Sequence, residues 1–533
     1  MRDTLDTSRP YKPLDVGNGI VAGSVAPDGR LLSIATYDEQ HGMVVLTATP
    51  PFDDAKRRDQ AAVRAYRASL ADPARPGFGL HLDAGHAKWR VRVLGDAIPE
   101  SRVEGDGLRV SVTTWAPPDQ SGVAQRWRIE TRRRLGWRCV VPQLRRAEYT
   151  QLTEGGPLPP AGRIARTWHF FGIDGQHGEL AAGEHEIVLR VSFDRVIDVA
   201  PLVAPTFAGA SAASRRGLAC ARTVALRAGS DAVCILADHE ILPLSWNRDA
   251  YYVATLLRER GDRELVAAHL RWLFRVAERP GGVWGRAHLA NGRVKDRAFQ
   301  LDQQCYPLLE AVEADEAQAY RDEIGAVVRA IEARRQGRLY PTDETPGDDP
   351  IALPYHFSSH VLLWRTYDTL ARAGLPAPDR SELRRATLES FSDSGRFAYA
   401  TDARGRFHHY HDANDVPTAL APAWGFCAAD DPRWLATMRF AWSDANAGGF
   451  YPGPLGGLGS VHTPHPWPLG DLQDIIVARA TGDLARERQA RAKLDRVATW
   501  DGMLPEAYDE RTGEVRSRHW FAWPVALRAI LDG

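Results

Sequence analysis

The strongest constraint in this 533-residue sequence is a change of hydrophobic periodicity near residue 205. Before this point, apolar and polar residues alternate and β-branched residues occupy one face, as in LRVSVTTWAP and HEIVLRVSFDRV. A Pro-Asp-Gly turn joins two such runs within residues 19–38, which is typical of a hairpin. We therefore predict an antiparallel β-sandwich over residues 1–205, with one short helix within residues 53–72.

After a small, polar linker at residues 205–217, apolar residues recur at i, i+3 and i+4, and many stretches end in glycine. Loops rich in Gly, Pro, His and Asp separate these helical stretches. Six helical hairpins would use this length and close an (α/α)6, or six-hairpin, barrel. An open solenoid would show self-similar repeats, and none is found. We therefore predict an (α/α)6 catalytic domain over residues 206–533.

Charge and cysteine content narrow the class of protein. A net charge of −1 with scattered arginines argues against a nucleic-acid or membrane partner. The N-terminus has no apolar signal segment, and no window is long and apolar enough to cross a membrane. Five cysteines without CxxC spacing indicate reduced thiols and a cytoplasmic protein. The sequence does not indicate the oligomeric state.

The sixteen tryptophans suggest the ligand, because several of them stand beside polar residues. An aromatic ring stacks on the C–H face of a sugar, while nearby amides and carboxylates bind its hydroxyl groups. Trp246 and Trp520 are candidates for such stacking, although packing between helices is the alternative for each tryptophan. An oligosaccharide or small glycoside is therefore the expected partner.

Polar and aromatic residues concentrate at the ends of helical stretches in five segments, at residues 242–252, 298–310, 344–360, 456–474 and 502–531. Their candidate sugar-binding residues are Trp246, Arg248, Asp249, Asp302, His356, His462, Thr463 and Trp520. Any one of these segments also fits a helix cap, an ion pair or a buried hydrogen bond.

Two separated groups of carboxylates carry the catalytic prediction: Asp348 with Asp349, and Glu506. Glycoside hydrolysis needs one carboxylic acid to protonate the leaving oxygen and a second carboxylate to act as base or nucleophile. Glu506 lies between a proline and the aromatic run HWFAW, a setting that would perturb its pKa. The adjacent aspartates would help each other, since one ionised carboxylate keeps a proton on its neighbour.

Metal binding is the alternative chemistry. His462 and His465 are three residues apart, and HHYHDAND at residues 408–415 is the best local candidate. Neither has the ligand spacing of a known zinc motif. We therefore expect hydrogen-bonding loop residues, with no metal or organic cofactor.

In order, the segments SWNRDAYY, FQLDQQCYPL, ETPGDDPIALPYHFSSHVLLW, GGLGSVHTPHPWPL and LPEAYDERTGEVRSRHWFAW resemble glycoside hydrolase family 125. That family contains inverting exo-α-1,6-mannosidases with an (α/α)6 barrel. The stretch GNGIVAGSVAPDGRLLSIATYD resembles the β-sandwich of bacterial glucoamylase-like proteins of family 15, which act on α-glucosides.

The resemblance implies that Asp348 or Asp349 is the general acid, with a slight preference for Asp348, and that Glu506 is the general base. It also implies that Arg248, Asp249, Asp302, His462 and Thr463 line the subsite of the terminal sugar. Gly347 and Pro505 depart from the family pattern, so the sugar is left open between mannose and glucose.

The prediction is therefore an exo-acting, inverting α-glycoside hydrolase that removes a terminal sugar by general acid/base catalysis. A trehalase-like or debranching enzyme is an alternative of the same class. An inactive carbohydrate-binding protein, or an (α/α)6 epimerase or lyase acting on sugars, are the alternatives of a different class.

Overall fold

The N-terminal part of the chain forms antiparallel sheets. The computed structural model describes residues 12–85, 88–150, 162–173, 175–199, 207, 211–518 and 520–533. The strands of this part are β1 (Leu14–Gly17), β2 (Val21–Val25), β3 (Leu31–Asp38), β4 (Gly42–Thr47), β5 (Gly79–Leu82), β6 (Arg90–Leu94), β7 (Ile98–Gly105), β8 (Leu108–Trp115), β9 (Gly122–Thr131), β10 (Leu135–Val140), β11 (Gln143–Arg146), β12 (Trp168–Phe171), β13 (His177–Leu180) and β14 (Gly183–Phe193). Helix α1 (Gln60–Ala71) lies between β4 and β5, inside the stretch predicted to be helical.

Three sheets make up this β domain, with strand orders β1-β2-β3-β4-β11, β13-β10-β5 and β12-β14-β9-β8-β7-β6. The first six residues of β3 are buried, and Leu31 and Ile34 belong to the same hydrophobic cluster as Val123 of β9 and Val191 of β14. Residues of the five-stranded and six-stranded sheets thus share one core, which is the architecture of a sandwich. The predicted N-terminal antiparallel sandwich is confirmed.

Twelve helices follow in the described part of the chain: α2 (Ala212–Val224), α3 (Asn247–Glu259), α4 (Arg263–Arg271), α5 (Leu301–Glu313), α6 (Arg321–Glu332), α7 (Phe357–Arg372), α8 (Arg380–Phe391), α9 (Val416–Leu420), α10 (Pro432–Ala441), α11 (Pro468–Thr481), α12 (Leu484–Val497) and α13 (Ala522–Leu531). The linker predicted at residues 205–217 lies largely outside the described residues, and α2 begins within it.

The helices alternate between an inner and an outer position. Contacts run from α3 to α5, α7, α9, α11 and α13, and from α13 back to α3, so the six inner helices form a closed ring. Helix α2 packs beside α13, α8 beside α7 and α12 beside α11, as expected for an outer ring. The predicted (α/α)6 barrel is therefore confirmed.

Short strands form small hairpins in the loops between the helices: β15 (Ala225–Arg227), β16 (Val233–Ile235), β17 (Ala287–His288), β18 (Val294–Asp296), β19 (Tyr355–His356), β20 (Ser392–Asp393), β21 (Arg396–Phe397), β22 (Ala400–Thr401), β23 (Phe407–His408), β24 (Phe450–Tyr451), β25 (Gly457–Ser460), β26 (Thr463–Pro466), β27 (Ala507–Tyr508) and β28 (Val515–Ser517). Several of them precede inner helices and carry the predicted site segments to the ends of those helices.

Some helices have a side-chain cap at the N-terminal end and others have none, in both rings: outer helices α4 and α6 have none, whereas inner helix α7 is capped by His356. Helices α2, α8, α10 and α12 of the outer ring begin with a Ser or Asp side chain that accepts backbone N–H bonds. Helices α3, α5, α11 and α13 of the inner ring begin without a side-chain cap. The partial positive charge at the start of an uncapped helix favours acidic and hydroxyl groups. The inner ring therefore offers such helix ends where the predicted site residues lie.

Ring closure depends on a close approach between the first outer helix and the last inner helix. A Cβ atom on Gly217 of α2 would lie 2.7 Å from the Cβ of Ala529 on α13. Only glycine therefore allows these two helices to pack at this distance. On α6, a Cβ on Gly325 would meet only the end of the Arg329 side chain, at 3.3 Å.

We predict that Gly217→Ala lowers the free energy of unfolding by about 1–3 kcal/mol, because the added methyl group forces the two helices apart. Gly325→Ala is the matched control and is expected to raise it by about 0.5–1 kcal/mol, since alanine suits a helix interior better. Denaturant unfolding measures both variants. Equal effects would show that the α2–α13 contact does not limit packing.

Candidate active site

The predicted residues lie at the N-terminal ends of inner helices. Arg248 and Asp249 are in the first turn of α3, and Asp302 is in the first turn of α5. His356 caps α7 by accepting the backbone N–H of Ser359. Because the inner helices form one ring, these helix starts bring residues that are distant in sequence to one rim.

Arg248 joins the first three predicted segments. Its Nη1 lies 2.7 Å from Oδ2 of Asp302, and its Nη2 lies 3.2 Å from Oδ1 of Asp348. The guanidinium group also stacks over the ring of Trp523, 5.4 Å from its centroid. The planar fork of arginine suits a bridge between two carboxylates, so this buried side chain fixes the geometry of the rim.

A tight turn sends the two adjacent aspartates in different directions. The backbone N–H of Asp348 donates to the carbonyl of Thr345 at 3.0 Å, and Thr345 N–H donates to the carbonyl of Asp349 at 2.9 Å. Asp348 has φ of 63°, in the left-handed region that favours glycine or asparagine. Asp348 faces Arg248, whereas Oδ2 of Asp349 lies 3.2 Å from Nδ1 of His462.

The surroundings of Asp348 favour its ionised form. Burial raises the pKa of this carboxyl, but the charges of Arg286 and Arg248 and a hydrogen bond from Gln300 outweigh burial and lower it. Gln300 Nε2 donates to Asp348 Oδ1 at 2.7 Å. A carboxylate held ionised in this way is a poor proton donor, which argues against the slight preference for Asp348 as the acid.

Glu344 belongs to the same cluster and was not among the predicted residues. It accepts from Gln300 Nε2 at 3.0 Å and from Arg286 Nη1 at 2.9 Å. Burial is the main reason that the pKa of Glu344 is raised to about 7, and the neighbouring Asp348 adds to it. Two neighbouring carboxyls thus have pKa values driven apart. The sequence offers little reason to single out Glu344, because this residue is only the first of the ETPGDD turn.

Asp249 also has an unusual acidity. Burial raises the pKa of this carboxyl to about 7, against the opposing charges of Arg248 and Arg518. Near neutral pH, such a group is present both as a carboxylic acid and as a carboxylate. It can therefore both donate and accept hydrogen bonds.

The surroundings of Glu506 lower its pKa, whereas those of Asp249 raise the pKa of that group. Its Oε1 is 2.9 Å from Nη2 of Arg518, and the Ser517 hydroxyl donates to Oε2. Burial raises the pKa of Glu506, but Arg518, His462 and Ser517 outweigh burial and hold it below the usual glutamate value. A buried carboxylate that stays ionised at neutral pH suits a general base.

Two residues that sequence reasoning missed support Glu506. Arg518 has φ of 36° and stacks over Phe521 at 4.3 Å, so its guanidinium is fixed from both sides. Arg67, on α1 of the β domain, also lowers the pKa of Glu506 through its charge. Its Nε donates to the Thr150 hydroxyl at 2.9 Å. Arg67 lies outside all five segments, and Arg518 lies in the fifth segment but was not among the predicted residues.

His462 is electrostatically coupled to both predicted carboxylate groups. Burial lowers the pKa of this imidazole, but Asp349, Glu506 and Asp412 raise it above the usual histidine value. The Ser460 hydroxyl is 3.0 Å from its Nδ1, and the ring packs edge-on against Trp467. The third, fourth and fifth segments are thus coupled through His462.

The remaining predicted residues have different surroundings. Trp246 and His356 are buried; Nδ1 of His356 lies 2.9 Å from the hydroxyl of Ser359. Thr463 is half-buried at the start of β26. Trp520 packs against the ring of His239, with centroids 5.1 Å apart. Their roles as sugar-binding residues stay predictions.

The histidines of HHYHDAND have separate partners. His409 is 2.7 Å from Asp393, His411 is 2.9 Å from Gln473, and His408 stacks on Tyr410. Among the described residues, the one group with metal-ligand spacing is His465, Asp509 and Glu510. The Asp509 carboxylate there already accepts from Arg516 and two backbone N–H groups, so this group carries no metal assignment.

Comparison with known proteins identifies the kind of enzyme. Residues 383–529 match the family described as metal-independent α-mannosidase, glycoside hydrolase family 125. The match contains the fourth segment and most of the fifth, with Glu506, but not the first three. No curated protein sequence matches significantly.

The protein is a glycoside hydrolase with a family 125-like helical domain. A bacterial glucoamylase structure in complex with acarbose covers 99% of this chain and 94% of that chain, at 10% identity and a TM-score of 0.65. A Streptococcus pneumoniae α-mannosidase structure in a non-productive complex with α-1,6-mannobiose covers 60% of this chain and 92% of that chain, at 20% identity and a TM-score of 0.48. The likeness to the glucoamylase shows that the hydrolase shares its fold over almost the full length. No helix in the described ranges has the length and apolar character needed to span a membrane.

We predict that Arg248→Met lowers the free energy of unfolding of the hydrolase by about 3–5 kcal/mol, because Asp302 and Asp348 lose their shared cation in a buried place. Arg222→Met is the matched control. Arg222 makes a two-point contact with Asp262 at 2.8 Å, but its side chain is 39% exposed. Arg222→Met is expected to lower the free energy of unfolding by only about 0–1 kcal/mol. Similar losses in thermal unfolding would contradict a structural role for the Arg248 bridge.

Proposed function

We propose that the hydrolase is an exo-acting, inverting α-glycosidase that removes a terminal mannose or glucose. The observation that carries this proposal is that carboxyl groups from two separate loops both interact with His462. Glu506 is held ionised by Arg518, and Asp349 faces His462 on a separate loop. These are the two groups that an inverting mechanism needs: a base for water and an acid for the leaving oxygen.

In this mechanism Asp349 protonates the glycosidic oxygen as the bond to the anomeric carbon breaks. Glu506 takes a proton from a water molecule, which attacks that carbon from the opposite face of the ring. The product therefore has the inverted configuration, and each carboxyl is restored by proton exchange with solvent. No metal or organic cofactor takes part in these steps.

Asp349 is preferred over Asp348 as the acid for a geometric reason. Asp348 Oδ1 accepts from both Arg248 and Gln300, so it holds the rim together. Within the described ranges, Asp349 has one side-chain hydrogen bond, from Oδ2 to His462. Its Oδ1 takes no part in this hydrogen bond, which leaves that oxygen available to an incoming glycoside.

The sugar itself would bind beside the first turn of α3. Asp249 can exchange hydrogen bonds with hydroxyl groups, and Arg248 can donate to a further one. Asp302 would act indirectly, since its carboxylate holds Arg248. In this proposal the buried ion cluster lies at the closed end of the site, as attack on a terminal sugar requires. A panel of α-1,6-mannobiose, isomaltose, maltose and trehalose, read by product chromatography, tests the sugar and linkage.

Glu506→Gln is expected to lower kcat by about 10²–10⁴-fold, because the amide cannot accept a proton from water. Proton NMR of the first product should show the β-anomer released by the unmodified enzyme. Glu510→Gln, four residues later on the same loop, is the control and should keep its activity. Unchanged hydrolysis by Glu506→Gln would show that Glu506 is not the general base. Initial release of the α-anomer would show that the enzyme does not invert the configuration.

The acid is tested with α-glycosyl fluorides, whose leaving group needs no protonation. Asp349→Asn is expected to lose activity by about 10²–10⁴-fold on disaccharides but far less on the fluoride. Asp348→Asn should reduce both activities by similar factors, since it weakens the hold on Arg248. The reverse pattern, with fluoride hydrolysis spared in Asp348→Asn alone, would make Asp348 the acid.

A further inference from the structure

The loop that precedes Glu506 leaves the helical barrel and enters the β domain. Trp500 belongs to the hydrophobic cluster of the sandwich, which includes Leu14, Phe78 and Val191, and only 8% of its surface is exposed. Its indole N–H donates to the carbonyl of Lys12 at 2.9 Å. A residue that follows barrel helix α12 is therefore packed as part of the β-domain core.

The next residue extends this attachment with charge. Both carboxylate oxygens of Asp501 are engaged: Oδ2 by Lys12 Nζ at 2.9 Å and Arg216 Nη2 at 3.1 Å, and Oδ1 by the Thr499 hydroxyl at 2.7 Å. The side chain has no exposed surface. Lys12 also contacts Asp15 of β1, so the buried network joins the first strand, helix α2 and the base loop.

A second attachment reaches Glu506 from the other side. Arg518, which contacts Glu506, also lies 3.9 Å from Oδ2 of Asp238. Three consecutive backbone N–H groups, at residues 240–242, fix that carboxylate. His239 then contacts Asp15 Oδ1 at 3.1 Å, which returns the connection to β1 of the β domain.

We propose that the β domain is part of the catalytic machinery because it holds the general-base loop in place, with Trp500 and Asp501 as positioning residues for Glu506. This inference rests on the proposed role of Glu506. Five residues separate Trp500 from Glu506, and the side chains of Asp501, Met503 and Leu504 among them are buried. Loosening this short segment would shift the base relative to the anomeric carbon, and a displacement of about 1 Å can cost 10²-fold in rate.

Trp500→Phe tests the proposal, with Trp127→Phe as the matched control. Trp127 is also buried in the sandwich, and its indole N–H donates to Gln125, but it lies outside the base loop. Trp500→Phe is expected to lower kcat by about tenfold with little change in KM. Trp127→Phe should lower the melting temperature without changing kcat at temperatures where it is folded.

The pH–rate profile separates positioning from general destabilisation. Activity is lost as the pH falls through the pKa of Glu506, and that pKa is held low by Arg518. If Glu506 moves away from Arg518, the acidic limb shifts to higher pH in Trp500→Phe and stays in place in Trp127→Phe. The deficit of Trp500→Phe should also persist with the α-glycosyl fluoride, because a base defect affects both substrates.

The proposal is overturned if Trp500→Phe keeps kcat and its acidic limb, or if its deficit disappears with the fluoride. If Trp500→Phe does not fold, Asp501→Asn replaces it. The same fall in kcat, the same shift of the acidic limb and the same deficit on the fluoride are then expected. The Glu506→Gln variant separates a failure of the base assignment from a failure of the positioning role. An active Glu506→Gln removes the base assignment itself, whereas an inactive Glu506→Gln with an unchanged Trp500→Phe removes only the positioning role.

Discussion

The closed ring of six inner helices is the constraint on which the rest of the structure depends. Their N-terminal ends carry Arg248, Asp302 and the cap His356 to one rim. Closure requires the first outer helix to approach the last inner helix at Gly217. Without that closure, segments separated by as much as half the chain would not meet.

On this rim, paired charges decide which carboxyl groups carry protons. Arginines hold Asp348 and Glu506 ionised, whereas burial leaves Asp249 and Glu344 with pKa values of about 7. At Asp348 and Glu506 the nearby arginines and hydrogen bonds outweigh the cost of burial, whereas at Glu344 burial and the charge of Asp348 outweigh the contact with Arg286. In the proposed mechanism, Arg518 is the main group that keeps the base Glu506 ionised.

The sequence predicted much of this arrangement from periodicity and motif order. Alternation over the first 205 residues and helical spacing afterwards predicted the sandwich and the barrel, because each element buries one face and the pattern records which face. Arg248, Asp302, Asp348 and His462 stand in motifs at helix ends, so their convergence could be expected. Motif order does not single out Glu344, Arg67 or Arg518. Each of them acts on the site through contacts or charges that only the folded chain brings together.

The sequence by itself determined the two folds and the class of enzyme, because these follow from local periodicity and from residue types in a fixed order. The paired carboxylates that it indicated stay a prediction. Only the tertiary structure decided which of two adjacent aspartates is held by arginine. It also decided that Trp500 lies in the core of the β domain. Both outcomes depend on burial and on distances between segments far apart in the chain, and neither quantity is encoded in any local pattern of residues.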